Sequence, residues 1–284
     1  VEYCVIIPAH NEEAFISLTL ESIILQTLLP KKVVVVNDHS NDRTEAIVAE
    51  FVTTVPYVEL LNTRSSDSHM PGSKVINAFN KGLRSLDSNF DFIVKLDADI
   101  VLPKNYFQSI ATIFSQSSEI GIAGGFAYEQ DEQGNWQLNH PMDKKHVRGA
   151  FKTYSKKCFE AIGGLKNAMG WDTVDELLAQ YHGFKIYTDE NLHVKHLRPT
   201  GKAYNKKARS LQGKAMYTMR YGVWITLIAS LKMALKTKRP NAFFENLRGY
   251  LQASAKRESF LVTEEEGKFI RQLRWKLIKS KLIP

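Results

Sequence analysis

Residues 92–101 read FIVKLDADIV. Apolar residues carry the stretch to Leu96, and then two carboxylates stand one residue apart, Asp97 and Asp99. Like charges that close repel, and each must stay solvated or find a partner. A lone D-x-D in a loop is most often a turn cap. The alternative is that something positive sits between the two acids, and the flanking chain bears on which holds.

Upstream, short apolar runs alternate with helical patterns. YCVIIPA (3–9) and the Val-rich KKVVVVND (31–38) read as buried strands, VELL (58–61) as a third and FIVKL (92–96) as a fourth. Between them, residues 12–28 have helical spacing, with Phe15, Leu18 and Ile23 expected to face the core. SNDRTEAIVAEFV (40–52) predicts a second helix with Ser40 or Asn41 as its cap, and SKVINAFNKGLRSL (73–86) a third. This order predicts an α/β fold: a Rossmann-like, mostly parallel sheet with helices on both faces. Ligands of such sheets gather beyond the carboxyl ends of the strands. Strand one ends in PAHNEE, strand two in NDHSND and strand four in DAD, so three polar clusters are expected on one edge. The glycine fingerprints of dinucleotide and P-loop sites are missing from the first 190 residues.

Beyond Gly121 the pattern changes to strands and a loop. SKKCFEAIGG (155–164) predicts a short helix closed by Gly163. In GWDTVDELLAQYHGFKI (170–186) a helix starts near Asp172, ends at Gly183 and leads into a strand. Asp172, Asp175 and Glu176 are expected in its first turn, where the helix dipole favours negative charge.

The 284 residues are 44% hydrophobic and 24% charged, which fits a globular chain rather than a disordered one. The net charge of +8 is divided unevenly: residues 1–190 carry a balance of −8 and residues 191–284 a balance of +16. An acidic half suits cations, and a basic half suits an anionic surface. Hard carboxylates at a sheet edge suit Mg2+ or Mn2+, which take few protein ligands and leave room for substrate phosphates. Cys4 and Cys158 lack metal-ligand spacing, and no signal peptide is visible, so a reduced, cytoplasmic chain is expected.

PAHNEE, VVVVNDHSNDRT, GSKVINAFNKG, KLDADI and GWDTVDELLAQYHGFKI come in an order and spacing that resembles the family 2 glycosyltransferases of the GT-A fold, over roughly residues 1–200. The resemblance implies transfer of a sugar from a nucleotide diphosphate sugar, a UDP-sugar first, onto a hydroxyl with inversion. It implies that Pro8, Ala9, Asn11 and Glu12 line the nucleotide, that Asp38 meets the base and that Lys74 faces base or phosphate. Asp97 and Asp99 match the ribose- and metal-binding pair for Mn2+ or Mg2+. Asp172 matches the catalytic base. Trp171 stands where the family usually has Glu, so Asp175 and Glu176 stay open beside it. His196 matches a residue that closes the metal site or touches the diphosphate. Arg198 is expected at the phosphates, Arg148 at the acceptor, and Trp171 against a sugar ring. The chemistry agrees with the residue types: a carboxylate takes the acceptor proton and fixed charge stabilises the leaving diphosphate.

The remaining chain, 201–284, is expected to form a basic, mostly helical extension. Residues 202–239 hold ten Lys and Arg and no acid, around the apolar stretch YGVWITLIASLKMAL (221–235). That stretch is shorter than the roughly 20 residues of a spanning helix, so an interfacial helix with Trp224, Leu227, Ile228 and Leu231 on one side is expected, or a helix packed on the catalytic part or an oligomer contact. No nucleic-acid module is present. The expected setting is peripheral, at the inner face of the cell membrane, with a sugar or lipid-linked acceptor. RQLRW (271–275) falls one residue short of the Q-x-x-R-W motif of processive synthases, so one sugar per event is expected. A sugar nucleotidyltransferase and a non-catalytic membrane scaffold of the same fold are the alternatives.

Overall fold

A computed structural model of the chain describes residues 1–64, 72–139, 146–198 and 206–282. The four apolar runs form β1 (Tyr3–Ala9), β2 (Lys32–Asp38), β3 (Val58–Thr63) and β4 (Phe92–Leu96). They are joined through the helices α1 (Ile16–Ile24), α2 (Thr44–Thr54) and α3 (Ser73–Arg84). In the order β3-β2-β1-β4 all four are parallel. Residues such as Ile6, Val35 and Val94 are fully buried, and each such side chain contributes about 1.5–3 kcal/mol. The order in which strands are added reverses after β3, so the switch falls between β1 and β4, where such folds hold ligands.

The second half of the sheet is mixed. After β5 (Ile100–Val101) and α4 (Tyr106–Gln116) come β6 (Ile120–Gln130), β7 (Trp136–Leu138), β8 (Phe151–Ser155), α5 (Lys156–Ala161), α6 (Trp171–Tyr181) and β9 (Lys185–His196). The full order is β3-β2-β1-β4-β8-β6-β9-β5, with β7 paired to β6. β8 runs antiparallel to β4 and β6, and β5 antiparallel to β9, so the sheet is parallel only in part.

Four helices follow: α7 (Lys206–Thr218), α8 (Val223–Thr237), α9 (Asn241–Ala255) and α10 (Glu264–Leu282). The expected boundary at residues 200 and 201 lies outside the described residues. α7 and α9 cross closely at two glycines: a Cβ on Gly213 would stand 1.7 Å from the Asn246 carbonyl oxygen, and one on Gly249 1.9 Å from that of Ser210. The extension joins the core of the sheet domain through Ala215, Met219 and Ile270, and Phe269 of α10 meets Tyr181 of α6 edge-on. Among the described residues no helix is long and apolar enough to cross a membrane.

Some local expectations are corrected. Leu18 is exposed and Phe15 only half-buried; Ile16, Leu20 and Ile23 are the buried face of α1. Neither Ser40 nor Asn41 caps α2. Asp42 Oδ1 accepts from the Thr44 N–H at 2.9 Å instead, while Ser40 Oγ accepts from the Asn11 N–H. Leu227 is half-buried, and the exposed stripe of α8 is Trp224, Ile228, Leu231 and Leu235.

Candidate active site

The parallel strands bring the three polar clusters to one edge. The loops after β1 and β2 are stitched together there. Asn11, at φ 56°, accepts the Asn41 N–H on its Oδ1 at 2.9 Å, and the Glu12 N–H donates to Thr44 Oγ1 at 2.7 Å. Asn11 is therefore tied into the loop pair. Pro8 is half-buried, Ala9 and Asp38 are buried, and the Asp38 carbonyl accepts from His10 Nδ1 at 2.7 Å. Lys74 is half-buried in the first turn of α3. That turn begins at Gly72, at φ 80°, where a Cβ would stand 3.0 Å from the Ala168 carbonyl oxygen, so the helix start lies against the loop leading into α6.

Strand register closes the longest gap. Residues 100–101 pair with the end of β9, placing Ile100 opposite His196, and the Leu197 N–H donates to the Asp99 carbonyl at 2.9 Å. His196 Nε2 thereby lies 3.4 Å from Asp99 Oδ2, and its Nδ1 lies 3.6 Å from Glu129 Oε1 without forming a hydrogen bond. Arg198 holds Glu12 with two nitrogens, at 2.5 and 3.2 Å, and its Nε is 3.9 Å from Asp99. Burial alone would raise the Asp99 carboxyl, but His196 and then Arg198 outweigh it and hold it below the usual range. Burial would lower the His196 imidazole, but Asp99, Asp97 and Glu129 carry it above its ordinary value. Burial pushes Glu12 up in spite of Arg198, and Asp99 and Asp97 add to that rise.

Asp97 is one-third exposed and pairs with Lys95, which is buried in β4. Residues i and i+2 of a strand share a face, which puts Lys95 beneath Asp97. Directly across the ladder from Lys95 is Lys152 of β8, also buried. Two facing lysines in a core oppose folding unless each finds negative partners. Lys152 Nζ finds both Asp175 oxygens at 3.1 Å, Glu176 Oε1 at 3.0 Å and the Asp172 carbonyl at 2.6 Å. The Trp171 ring lies 5.2 Å from Lys95 Nζ and 5.9 Å from Lys152 Nζ, a favourable place for an aromatic face near two cations. Trp171, of which stacking against a sugar ring was expected, is buried.

The three acids of α6 divide. Asp175 and Glu176 are not in an open first turn but buried. Asp175 accepts from the Tyr154 hydroxyl at 2.5 Å as well as from Lys152. Glu176 accepts from His146 Nδ1 at 2.9 Å and the Val147 N–H at 3.0 Å. Burial pushes the Asp175 carboxyl up to about 6 against the pull of Lys152. Glu176, though buried, is held below its usual range by Lys152 and then His146. Asp172 alone of the three is half-exposed, and among the described residues no hydrogen bond or ion pair engages its carboxylate. It adjoins the Asp97 loop: a Cβ on Gly149 would stand 3.1 Å from Asp172 Cβ, and the next residue's carbonyl, that of Ala150, accepts the Asp97 N–H at 2.7 Å. Arg148, half-buried, donates to the Asn139 carbonyl at 3.3 Å.

Lys95, Lys152, Glu129 and His146 had not been singled out from sequence. Lys95 carried a signal, a lysine inside an apolar strand two residues before an acid. Glu129 carried none.

The family model for glycosyl transferase family 2 matches residues 4–169. The chain is a family 2 glycosyltransferase. Among curated relatives, the probable glycosyltransferase YdaM of Bacillus subtilis is 38% identical over 98 residues, 34% of this chain and 22% of that protein. The minor teichoic acid biosynthesis protein GgaA of the same organism is 26% identical over 147 residues, 50% of this chain and 31% of its own. The chain thus spans less than a third of either relative. Among solved structures, S. aureus TarS 1-349 in complex with UDP-GlcNAc aligns at TM-score 0.57 and 18% identity, over 75% of this chain and 65% of that one. The mannosyltransferase PcManGT of Pyrobaculum calidifontis, in complex with GDP-Man and Mn2+, aligns at 0.58 and 17%, over 98% of this chain and 80% of its own. These likenesses establish the GT-A architecture of this family 2 enzyme.

Among the described residues no group of three or more His, Cys, Asp or Glu is gathered tightly enough to hold a metal unaided. The donor set nevertheless suits Mn2+ or Mg2+, which bind through one or two carboxylates and substrate phosphates. Asp99 is a hard carboxylate with His196 Nε2 3.4 Å from its Oδ2, and the other imidazole nitrogen, Nδ1, is buried on the Glu129 side without a hydrogen-bond partner. Adjacent ligands of an octahedral cation with ~2.1 Å bonds stand roughly 3 Å apart.

Proposed function

We propose that the enzyme moves a single glycosyl unit from a nucleoside diphosphate sugar, with a UDP-sugar favoured, onto an acceptor hydroxyl with inversion. The observation that carries this reading is the division of the acids on α6. Asp175 and Glu176 are committed to Lys152, Tyr154 and His146, which leaves the half-exposed Asp172 as the base. The acceptor oxygen attacks the anomeric carbon as its proton passes to the Asp172 carboxylate. The bond from that carbon to the diphosphate breaks, and its electron pair leaves with the diphosphate. A single displacement from the side opposite the leaving group inverts the carbon.

Asp99 and His196, with the second oxygen of Asp97, would hold Mn2+ or Mg2+, and the bound cation supplies positive charge against the departing diphosphate. Arg198, now on Glu12, is placed to exchange that partner for phosphate oxygens. Glu12 and Pro8 serve the ribose side, and Asp38 and Lys74 the base. Asn11 supports the loop that carries them. The acceptor is read as a lipid-linked or polysaccharide precursor, beside a relative, GgaA, that is named for minor teichoic acid biosynthesis. Arg148 is assigned to that side.

The test is turnover with a panel of UDP-, GDP- and other nucleotide sugars, with Mn2+ and with a chelator. Release of a nucleoside diphosphate from one donor, lost on chelation, is the expected result. Nucleotide transfer from a nucleoside triphosphate to a sugar phosphate would instead mark a nucleotidyltransferase. A folded protein inert to every donor would mark a scaffold.

A further inference from the structure

The four C-terminal helices are attached to the sheet domain, but α8 and α9 leave rows of large apolar side chains exposed among the described residues. α8 turns Ile225, Thr226, Ser230 and Ala234 inward, all buried. Its other side shows Trp224 (72% exposed), Ile228, Leu231 and Leu235 (71%), at spacings of four, three and four residues. A helix keeps residues so spaced on one face. α9 follows after a three-residue turn and repeats the arrangement with exposed Phe244, Arg248 and Leu251. Large apolar side chains exposed in a row mark a surface that something covers.

The charge says what covers it. No acidic residue occurs from Asn191 to Phe244, and the last turn of α8 carries Lys236 and the turn after it Lys238 and Arg239, all exposed. A second copy of the chain would bring two segments with a balance of +16 against each other. A surface that is anionic outside and apolar just beneath accepts both features, and that is a bilayer with acidic lipids. α8 has 15 residues and is about 22 Å long, short of the ~30 Å hydrocarbon core, so it lies along such a surface rather than across it. We propose that the α8–α9 hairpin docks on an anionic lipid surface, with Trp224, Leu231 and Leu235 entering the interfacial layer and Lys236, Lys238 and Arg239 on the headgroup phosphates. The inward face of α8 packs on α7, α9 and α10, and α10 in turn meets α6 of the catalytic domain. Docking is independent of the transfer chemistry, and an acceptor carried on a lipid would make use of it.

The full chain is cosedimented with vesicles of phosphatidylcholine alone and of phosphatidylcholine with phosphatidylglycerol, at low and high salt. Binding is expected on the acidic vesicles at low salt and to weaken as salt screens the charge. Two variants separate the contributions: Trp224→Ser with Leu235→Ser, and Lys236→Gln with Lys238→Gln and Arg239→Gln. The serine variant is expected to lower partitioning about tenfold and the glutamine variant about a hundredfold. Both act on exposed residues away from the site, so donor turnover should equal that of the parent and report folding. Unchanged partitioning in the serine variant overturns the proposal. So does a parent chain that ignores acidic vesicles at low salt, and so does a concentration-dependent dimer that the serine variant abolishes in place of vesicle binding. Loss of docking with turnover intact leaves the proposed reaction standing.

Discussion

Replacing Lys152 by Met keeps the stem of the side chain and removes the charge from the centre of the α6 cluster. In the folded enzyme Lys152 Nζ touches Asp175, Glu176 and the Asp172 carbonyl, all within 3.1 Å. Glu176 would keep His146 and the Val147 N–H, and Asp175 would keep the Tyr154 hydroxyl. Breaking a buried ion pair from one side costs about 3–5 kcal/mol, because the other charge stays behind. The surviving hydrogen bonds place Lys152→Met near the lower end, about 3 kcal/mol. With a urea m-value of roughly 3 kcal/mol/M this moves the midpoint by about 1 M. Adding Asp175→Asn to Lys152→Met removes the stranded charge and should restore half of the loss or more, a coupling that a double-mutant cycle reads directly. The single variant also carries a pH signature. Without Lys152, the Asp175 carboxyl rises beyond the value of about 6 that it has in the parent. A carboxyl whose folded pKa exceeds its unfolded one binds protons on folding, so the variant should gain stability relative to the parent as pH falls from 8 toward 6. A cost under about 1 kcal/mol, or strictly additive losses in the cycle, would refute the reasoning.

Asp99→Asn keeps the shape and removes a charge from the proposed cation site; calorimetry with UDP and Mn2+ should show affinity weaker by about tenfold or more, and unchanged affinity would remove Asp99 from that role. Gly213→Ala pushes a methyl group to 1.7 Å from the Asn246 carbonyl oxygen, so α7 and α9 must part. Overpacking of this kind costs about 1–3 kcal/mol, and an unaltered thermal midpoint would contradict the close crossing.

The parallel half of the sheet was legible because each strand is a nearly continuous apolar run that ends on a polar cluster. Both boundaries of β4 and the start of α3 followed from that pattern alone, while α3 ends at Arg84, two residues before the expected end. The mixed half was not legible, because β8 enters beside β4 and β9 returns beside β6 through pairings that leave no local trace. Leu18 was misread because apolar spacing gives a face but not its rotation, and α1 spans only Ile16–Ile24 of the expected 12–28. The acid pair and Asp172 were visible as motifs. Their electrostatic setting was not, since Lys95 and Lys152 meet only across the β4–β8 ladder and Asp175 is committed only once α6 packs on it. Trp171 read as a departure from the family. Its closeness to two buried lysines gives it a physical role that the sequence alone could not show.

The central claim is that Asp172 takes the acceptor proton. Asp172→Asn keeps the helix turn and the Lys152 bond to the residue-172 carbonyl, but the amide cannot accept that proton. The most direct measurement pairs donor affinity with single-turnover transfer in this one variant. A base acts on the acceptor in the transition state, so the account predicts donor binding within about twofold of the parent and transfer slower by ~10²-fold or more. Transfer at the parent rate, with donor still bound, would contradict it.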